Sequence, residues 1–115
     1  MEYTTLGRTQ LRVSVAGLGC GGGSKLGQGD GESESHSVSL VRAAIELGVN
    51  LIDTANSYGT EVAVGKAIKN YPRDQIVLST KYHPAWGGVV SSPEEVISGL
   101  ENSLVQLGVD YVDIF

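Results

Sequence analysis

Three side chains of complementary chemistry follow runs of sequence that read as strands. Asp53 lies near the end of the apolar run at residues 49–54, Tyr58 follows in the segment T-A-N-S-Y-G, and Lys81 ends the β-rich run at residues 75–81. In parallel α/β folds the carboxyl ends of the strands carry the chemistry, because the loops that follow the strands converge there. We therefore expect a carboxylate, a phenol and an ammonium to meet at one edge of a sheet.

Together these three groups can form a proton donor that none of them provides alone. A phenol gives up its proton reluctantly, and an adjacent ammonium favours the phenolate form. The carboxylate would keep the lysine charged and oriented. The same spacing also fits an ordinary aspartate–lysine ion pair at the rim of a sheet, with a loop tyrosine packed beside it. Spacing alone leaves both interpretations open.

A glycine-rich stretch, V-S-V-A-G-L-G-C-G-G-G-S-K-L-G, contains the pattern G-x-G-x-x-G at Gly17, Gly19 and Gly22. A dinucleotide fingerprint needs its third glycine at a helix N-terminus and an acid about twenty residues further on. Here a long polar stretch separates Gly22 from any helical pattern, and Asp53 lies 31 positions beyond it. A Rossmann-type NAD-binding domain is therefore only an alternative, and a Walker A loop is excluded because no G-K-[ST] follows.

The frame that must position these groups begins with two short strands, at residues 3–9 and 11–15, which predict an N-terminal β-hairpin. Residues 21–37 hold mostly Gly, Ser, Glu and Asp without periodicity, and they predict a long loop. Helical spacing of apolar residues starts at Val38, and Gly48 stands where a left-handed residue would end that helix.

Two further strand–helix units follow in the sequence. The strand at residues 49–54 precedes a short helix that Thr60 can cap, and the strand at residues 75–81 precedes a longer one. That longer helix opens on S-P-E-E at residues 92–95, which combines an N-cap serine, a proline at N1 and a capping-box glutamate at N3. Residues 111–115 begin another strand.

An internal echo supports this regular order. The run L-G-V-N-L-I-D, which ends at Asp53, returns sixty positions later as L-G-V-D-Y-V-D, which ends at Asp113. One strand–helix unit lies between, so each unit is about thirty residues long, as in βα repeats. The order predicts an α/β fold with a parallel sheet, and it fits a doubly wound sheet or a (β/α)8 barrel. Asp113 is a second candidate polar group, or a buried hydrogen-bond partner within its strand.

Several motifs, taken in chain order, resemble those of the aldo-keto reductase family. They are D-T-A followed by Y-G at residues 53–59, S-T-K at residues 79–81, the opening T-L-G-R-T-x-L-x-V-S-x-x-G-L-G, and L-E-N-S-L-x-x-L-G-V-D-Y-V-D-I. The resemblance implies the N-terminal part of a (β/α)8 TIM barrel, with a β-hairpin across its bottom, about three βα units and the start of strand 4. Residues 1–115 would then form a partial aldo-keto reductase domain.

The resemblance also implies a reaction, the reduction of aldehydes or ketones to alcohols with NADPH or NADH. Tyr58 would be the general acid that protonates the carbonyl oxygen. Lys81 and Asp53 would tune its proton affinity, and Asp53 would also lie near the nicotinamide ribose.

The loop after strand 1, around Gly19, Cys20 and Gly21, would border the nicotinamide half of the cofactor, again by resemblance. The family carries a further catalytic histidine at the end of strand 4, which this sequence does not reach. His83 follows strand 3 instead, and we do not expect it to replace that histidine.

The composition argues against some classes of binding partner and indicates a cellular compartment. The net charge is -5, and the eight Lys and Arg are scattered, which argues against nucleic acid or an anionic membrane as a partner. A membrane-spanning helix needs about 20 consecutive apolar residues, and no apolar run in the sequence approaches that length. Cys20 is the only cysteine and has no Cys or His at metal-ligand spacing, so we expect no metal site and a reducing, cytoplasmic setting.

A complete (β/α)8 barrel takes about 250 residues, so this chain would be the N-terminal part of one. We expect it to be inactive by itself, whether as a truncated product, a split-gene half or a partial sequence. Open sheet edges would favour self-association or a complementary half-barrel, and a non-catalytic module that binds a partner is the alternative. The full-length protein would act on a small carbonyl substrate.

Overall fold

The computed structural model describes residues 1–115, apart from the side chain of Trp86. Two antiparallel strands, β1 (Tyr3–Thr5) and β2 (Arg12–Ser14), open the chain and pair from Tyr3↔Ser14 to Thr5↔Arg12. The predicted hairpin is confirmed, with shorter strands than the sequence suggested. The connection between the two strands is longer than the predicted turn. Gln10 takes a left-handed conformation, with φ of 64°, so the second strand begins only at Arg12.

Three parallel strands form the sheet that carries the site: β3 (Leu18–Gly19), β4 (Leu51–Asp53) and β5 (Val77–Ser79), in that order. A single parallel bridge, Ser79↔Ile114, begins the fourth strand. The predicted parallel sheet is confirmed. The strand predicted at residues 11–15 belongs to the hairpin, and the first parallel strand is a separate, shorter one at Leu18–Gly19.

The three helices are α1 (Glu34–Glu46), α2 (Glu61–Ile68) and α3 (Pro93–Leu107). They alternate with the parallel strands as predicted. The predicted end of α1 is confirmed, because Gly48, just beyond the last turn, has φ of 91°. The helix starts at Glu34, four residues before the predicted start at Val38. Ser33 caps that start by accepting from the His36 N–H at 3.3 Å, and the first turn is polar, so it shows no apolar period.

The predicted loop at residues 21–37 is partly ordered into helical turns. Besides the start of α1, it contains a 3-10 segment at Lys25–Asp30, whose Leu26 side chain is buried in the core. The Ser37 hydroxyl donates to the Leu26 carbonyl at 3.0 Å, which ties this segment to α1. Tertiary contacts rather than local periodicity order these residues, so the sequence pattern did not show them.

The capping box predicted for α3 is confirmed. Ser92 Oγ accepts from the Glu95 N–H at 3.2 Å, and the Glu95 carboxylate accepts from the Ser92 N–H at 2.7 Å. Between β5 and α3 the chain also forms a small hairpin, β6 (Ala85–Trp86) and β7 (Val89–Val90), which we did not predict. Its Gly-Gly turn was the available signal, since both glycines have positive φ.

The hydrophobic core lies between the parallel sheet and the helices. Its buried members are Cys20, Leu26, Val41, Ile52, Val64, Ala67, Ile68, Ile76, Leu78 and Leu107. Helices α2 and α3 approach closely where a Cβ at Gly65 would fall 2.3 Å from the Leu107 carbonyl oxygen, so no larger residue fits there. Among the described residues, no helix is long and apolar enough to span a bilayer.

Candidate active site

The aspartate and the lysine predicted to meet at the strand ends form an ion pair. Lys81 Nζ donates to both carboxylate oxygens of Asp53, at 2.8 and 2.9 Å, and to the Thr54 carbonyl oxygen at 2.7 Å. Their side chains are 44% (Asp53) and 47% (Lys81) exposed, so the pair faces the open carboxyl edge of the sheet. The parallel register sets this contact, because Asp53 pairs with Ser79, two residues before Lys81.

Ser79 adds a partner that sequence reasoning missed. Its hydroxyl donates to Asp53 Oδ1 at 2.9 Å, so the carboxylate is held by an ammonium and a hydroxyl at once. Side chains alternate along a strand, so Ser79 shares a face with Lys81, but nothing in the sequence distinguishes Ser79 from an ordinary strand residue. Only the register of β4 against β5 brings it within bonding distance.

Tyr58 lies in the 3-10 turn Asn56–Tyr58, which Gly59 ends with φ of 76°. The backbone holds this turn against the end of β5, because the Asn56 N–H donates to the Lys81 carbonyl at 3.1 Å. The half-buried Tyr58 ring has the Lys81 ammonium 5.1 Å from its centroid. A phenol, an ammonium and a carboxylate thus lie together, as the spacing predicted.

The loop after β3 completes this edge of the sheet. Gly19 pairs with Asp53 in the parallel register, and a Cβ at Gly19 would meet nothing within 4 Å, so open space lies beside it. Gly21 is different, because a Cβ there would fall 2.6 Å from Cε2 of Tyr58. The helix after this loop, α1, begins only at Glu34, so Gly22 does not stand at a helix N-terminus as a dinucleotide fingerprint requires.

Cys20 places its thiol in the core rather than in the site. Its side chain is fully buried, and its backbone N–H donates to the Asp53 carbonyl at 2.8 Å. The pKa of the thiol is raised from 9.0 to about 12, chiefly by burial and also by the charge of Asp53, against a smaller lowering by the charge of Lys81. The thiol is therefore neutral at physiological pH, and the residue meets the site through its backbone.

Asp113, the counterpart of Asp53 in the internal echo, has different partners. Its Oδ2 accepts from Arg73 Nη2 at 2.7 Å and from the Leu78 N–H at 2.8 Å. The side chain is largely buried, which is the hydrogen-bonded alternative that the sequence left open. His83 is exposed, and its Nδ1 accepts from the Ala85 N–H at 3.3 Å.

The described residues were also compared with the arrangement that a metal site requires. Within the described residues, no group of three His, Cys, Asp or Glu side chains is arranged to hold a metal ion. The chemistry that the site offers is that of a half-exposed carboxylate, an ammonium and a phenol.

Comparison with known proteins identifies the family to which this arrangement belongs. A family model described as "Aldo/keto reductase family" matches residues 18–115. Among curated proteins, the chain is 39% identical to "Aldo-keto reductase YhdN" of Bacillus subtilis, covering 100% of this chain and 37% of that protein. It is 34% identical to the "NADH-specific methylglyoxal reductase" of Escherichia coli, covering 100% of this chain and 41% of that protein.

Solved structures agree with the sequence comparisons. The thermostable aldo-keto reductase Tm1743 has a TM-score of 0.81 at 35% identity, over 97% of this chain and 40% of that one. Aldo-keto reductase AKR11C1 from Bacillus halodurans, in its holo form, has a TM-score of 0.77 at 30% identity, over 97% and 38%. The chain thus spans about two fifths of the length of these relatives, and it has the fold of part of a (β/α)8 barrel. It belongs to the aldo-keto reductase family of oxidoreductases.

Proposed function

We propose that this chain supplies the proton-donating part of an NAD(P)H-dependent carbonyl reductase, which converts aldehydes or ketones to alcohols. One observation carries the proposal: the Lys81 ammonium bonds the Asp53 carboxylate at 2.8 Å and stands 5.1 Å from the centroid of the Tyr58 ring. These groups lie at the carboxyl end of the parallel strands, where barrel enzymes hold their substrates.

In this proposal Tyr58 is the general acid. Its phenol donates a proton to the carbonyl oxygen of the substrate, and the Lys81 ammonium stabilises the phenolate that remains. Asp53 holds that ammonium in place through two carboxylate contacts, and the Ser79 hydroxyl fixes the carboxylate. Since the pair is about half exposed, solvent can return a proton to Tyr58 after each turnover.

A nicotinamide dinucleotide, NADPH or NADH, would supply the hydride when bound. Two features of the described residues suit its nicotinamide end. The half-exposed Asp53 carboxylate can accept a hydrogen bond from a ribose hydroxyl. The open space at Gly19 lets a planar ring approach the backbone beside Asp53. One relative is named an NADH-specific reductase, which supports a nicotinamide cofactor for this chain as well.

The 115 residues alone are proposed to be inactive. They hold the phenol and its partners, but they span about two fifths of the relatives, and the family resemblance implies further groups for the cofactor. A complementary part of the barrel, or another copy of the chain, would pair with the sheet edges at β3 and Ile114. The proposed setting is a reducing compartment such as the cytoplasm, consistent with the single free, buried Cys20.

A chimaera tests the reaction directly. In this chimaera, residues 1–115 replace the segment that they match in the Bacillus subtilis relative. The oxidation of NADPH or NADH is then measured with methylglyoxal as the aldehyde substrate. We expect Tyr58→Phe to lower kcat by about 10²- to 10⁴-fold while the Kd for the cofactor stays the same, because the phenol acts on the substrate oxygen. Tyr82→Phe is the matched control and retains turnover. Full activity of the Tyr58→Phe chimaera would overturn the proposal.

The fragment is tested without the rest of the barrel. Purified residues 1–115 should give no aldehyde-dependent oxidation of NADPH or NADH above the blank. Turnover by the fragment would show that the described residues already hold the cofactor and complete the reaction.

A further inference from the structure

A buried glutamate lies close in sequence to the tyrosine of the candidate active site. Glu61 is only 3% exposed, in the first turn of α2 and three residues after Tyr58. Carboxylates are almost never fully buried unless a partner holds them, because burial removes their hydration. The position of Glu61 therefore calls for a specific partner.

That partner is the residue next to the lysine of the site. Thr80 Oγ1 donates to Glu61 Oε1 at 2.6 Å, and Thr80 is 1% exposed. This bond lies away from solvent, where a hydrogen bond is electrostatically stronger than in water. The bond joins the start of α2 to the residue that precedes Lys81.

A second buried bond closes the loop that carries Tyr58. Thr54 Oγ1 and Thr60 Oγ1 lie 3.0 Å apart, and both residues are fully buried. Thr54 follows the last residue of β4, and Thr60 precedes the first residue of α2. The loop thus begins and ends at two threonines whose hydroxyls are hydrogen-bonded to each other. The bond between Glu61 and Thr80 then links the end of this loop to the residue after β5.

We propose that Glu61, through Thr80, is a positioning residue that sets the distance between Tyr58 and Lys81. The two groups stand on different elements, one before α2 and the other after β5, so their separation depends on how those elements are joined. The Glu61–Thr80 bond joins them one residue from Lys81, and it adds a side-chain link to the backbone bond from the Asn56 N–H to the Lys81 carbonyl. This inference rests on the proposed function of Tyr58 and Lys81, but its test below does not require reductase activity.

The test uses the 15N-labelled chain and the ammonium signal of Lys81 in a proton–nitrogen correlation spectrum. Lys81→Met assigns the signal, and Tyr58→Leu shows how far it moves when the nearby aromatic ring is removed. Two variants break the bond with little change of shape, Thr80→Val and Glu61→Leu. Two others keep a donor or an acceptor in place, Thr80→Ser and Glu61→Gln.

We expect the two breaking variants to move the Lys81 signal most of the way to its Tyr58→Leu position, and the two conservative variants to leave it unchanged. Ser37→Ala is the control, because it removes a buried hydroxyl that bonds the Leu26 carbonyl far along the chain from Lys81. It should lower stability without moving the signal. An unmoved signal in Thr80→Val, or an equal shift in Ser37→Ala, would overturn the proposal.

Amide hydrogen exchange in the unaltered chain provides a measurement that needs no variant to fold. If Glu61 ties the elements together, the amides of Tyr58 and Thr80 exchange with the same opening free energy, as one cooperative unit. Rapid exchange at Tyr58 beside strong protection at Thr80 would contradict the coupling.

The failure of this proposal can be told from the failure of the reductase proposal. An inactive chimaera, with the Lys81 signal moving in the variants as expected, would overturn the reductase proposal and leave the positioning role of Glu61 in place.

Discussion

Gly21 lies directly against the ring of Tyr58. A Cβ at position 21 would fall 2.6 Å from Cε2 and 2.7 Å from Cζ of that ring, closer than carbon atoms approach without displacement. The phenol can stand beside Lys81 only because residue 21 has no side chain. The family resemblance implies that Gly21 borders the nicotinamide, which stays a prediction; the structure shows that Gly21 leaves room for the ring of Tyr58.

We predict that Gly21→Ala displaces the Tyr58 ring and lowers kcat of the chimaera by about a hundredfold, since misplacement by about 1 Å can cost that much. The ring moves in preference to the backbone, because it is the far end of a flexible side chain. Gly23→Ala is the matched control, with ordinary φ and nothing within 4 Å of its Cβ. Equal turnover in the two variants would contradict the assigned contact.

The convergence of Asp53, Tyr58 and Lys81 could be predicted because it follows from local rules. Side chains alternate along strands, and parallel strands end at a common edge, so two charged strand ends and the loop between them meet. Ser79 and the Glu61–Thr80 bond could not be predicted in this way. Their partners depend on strand register and on where α2 packs, which many hydroxyl-containing residues would satisfy equally well in sequence.

The helix boundaries show the same limit. The start of α3 was predictable, since S-P-E-E is a capping signal that acts within one turn. The start of α1 was not, because its first turn is polar and shows no apolar period. The turns around Leu26 were not predictable either, because a buried side chain and a hydrogen bond from α1 order them. The echo of Asp53 at Asp113 left two roles open by sequence alone, because only the structure shows Arg73 beside the second aspartate.

Lys81→Met should reduce kcat of the chimaera by about 10²- to 10⁴-fold, because the phenolate formed at Tyr58 loses its stabilising charge. Cofactor affinity changes less, since Asp53 keeps its Ser79 partner. Lys66→Met is the control, as that lysine pairs with Glu34 at the surface. Steady-state kinetics with both variants distinguishes the two positions, and similar kcat values would rule out a role for the Lys81 charge.

Cys20 predicts a particular dependence of stability on pH. Its thiol has a pKa of about 12 in the folded chain and 9.0 as an ordinary thiol, so the unfolded chain loses the proton first. The stability that this difference provides is complete below pH 9 and is lost as the pH rises from about 9 to about 12. Urea unfolding of the chain should show a loss of about 1.4 kcal/mol per pH unit in that range, relative to Cys20→Ala.

The Cys20→Ala variant is the reference because the cavity that it creates costs the same at every pH. All other ionisable groups are present in both chains, so their contribution cancels in the difference. Parallel stability curves for the two chains would show that the thiol ionises as readily in the folded state as in the unfolded one.

Asp113 should contribute more to stability than an exposed ion pair, because its single Oδ2 holds both the Arg73 guanidinium and the Leu78 N–H. The same guanidinium also donates to the Ile76 carbonyl at 2.7 Å and to the Tyr111 carbonyl at 2.9 Å, so Arg73 is held in place beside the carboxylate. Asp113→Ala leaves a buried N–H unsatisfied, and we expect the free energy of unfolding to fall by about 2–3 kcal/mol.

Two comparisons in urea unfolding separate the contributions of that carboxylate. Asp113→Asn keeps an oxygen acceptor for the Leu78 N–H and should cost less than Asp113→Ala. Glu34→Ala breaks the exposed pair with Lys66 and should change stability by less than about 1 kcal/mol. If Asp113→Ala were as mild as Glu34→Ala, the bond to Leu78 could not be what anchors the start of the fourth strand to β5.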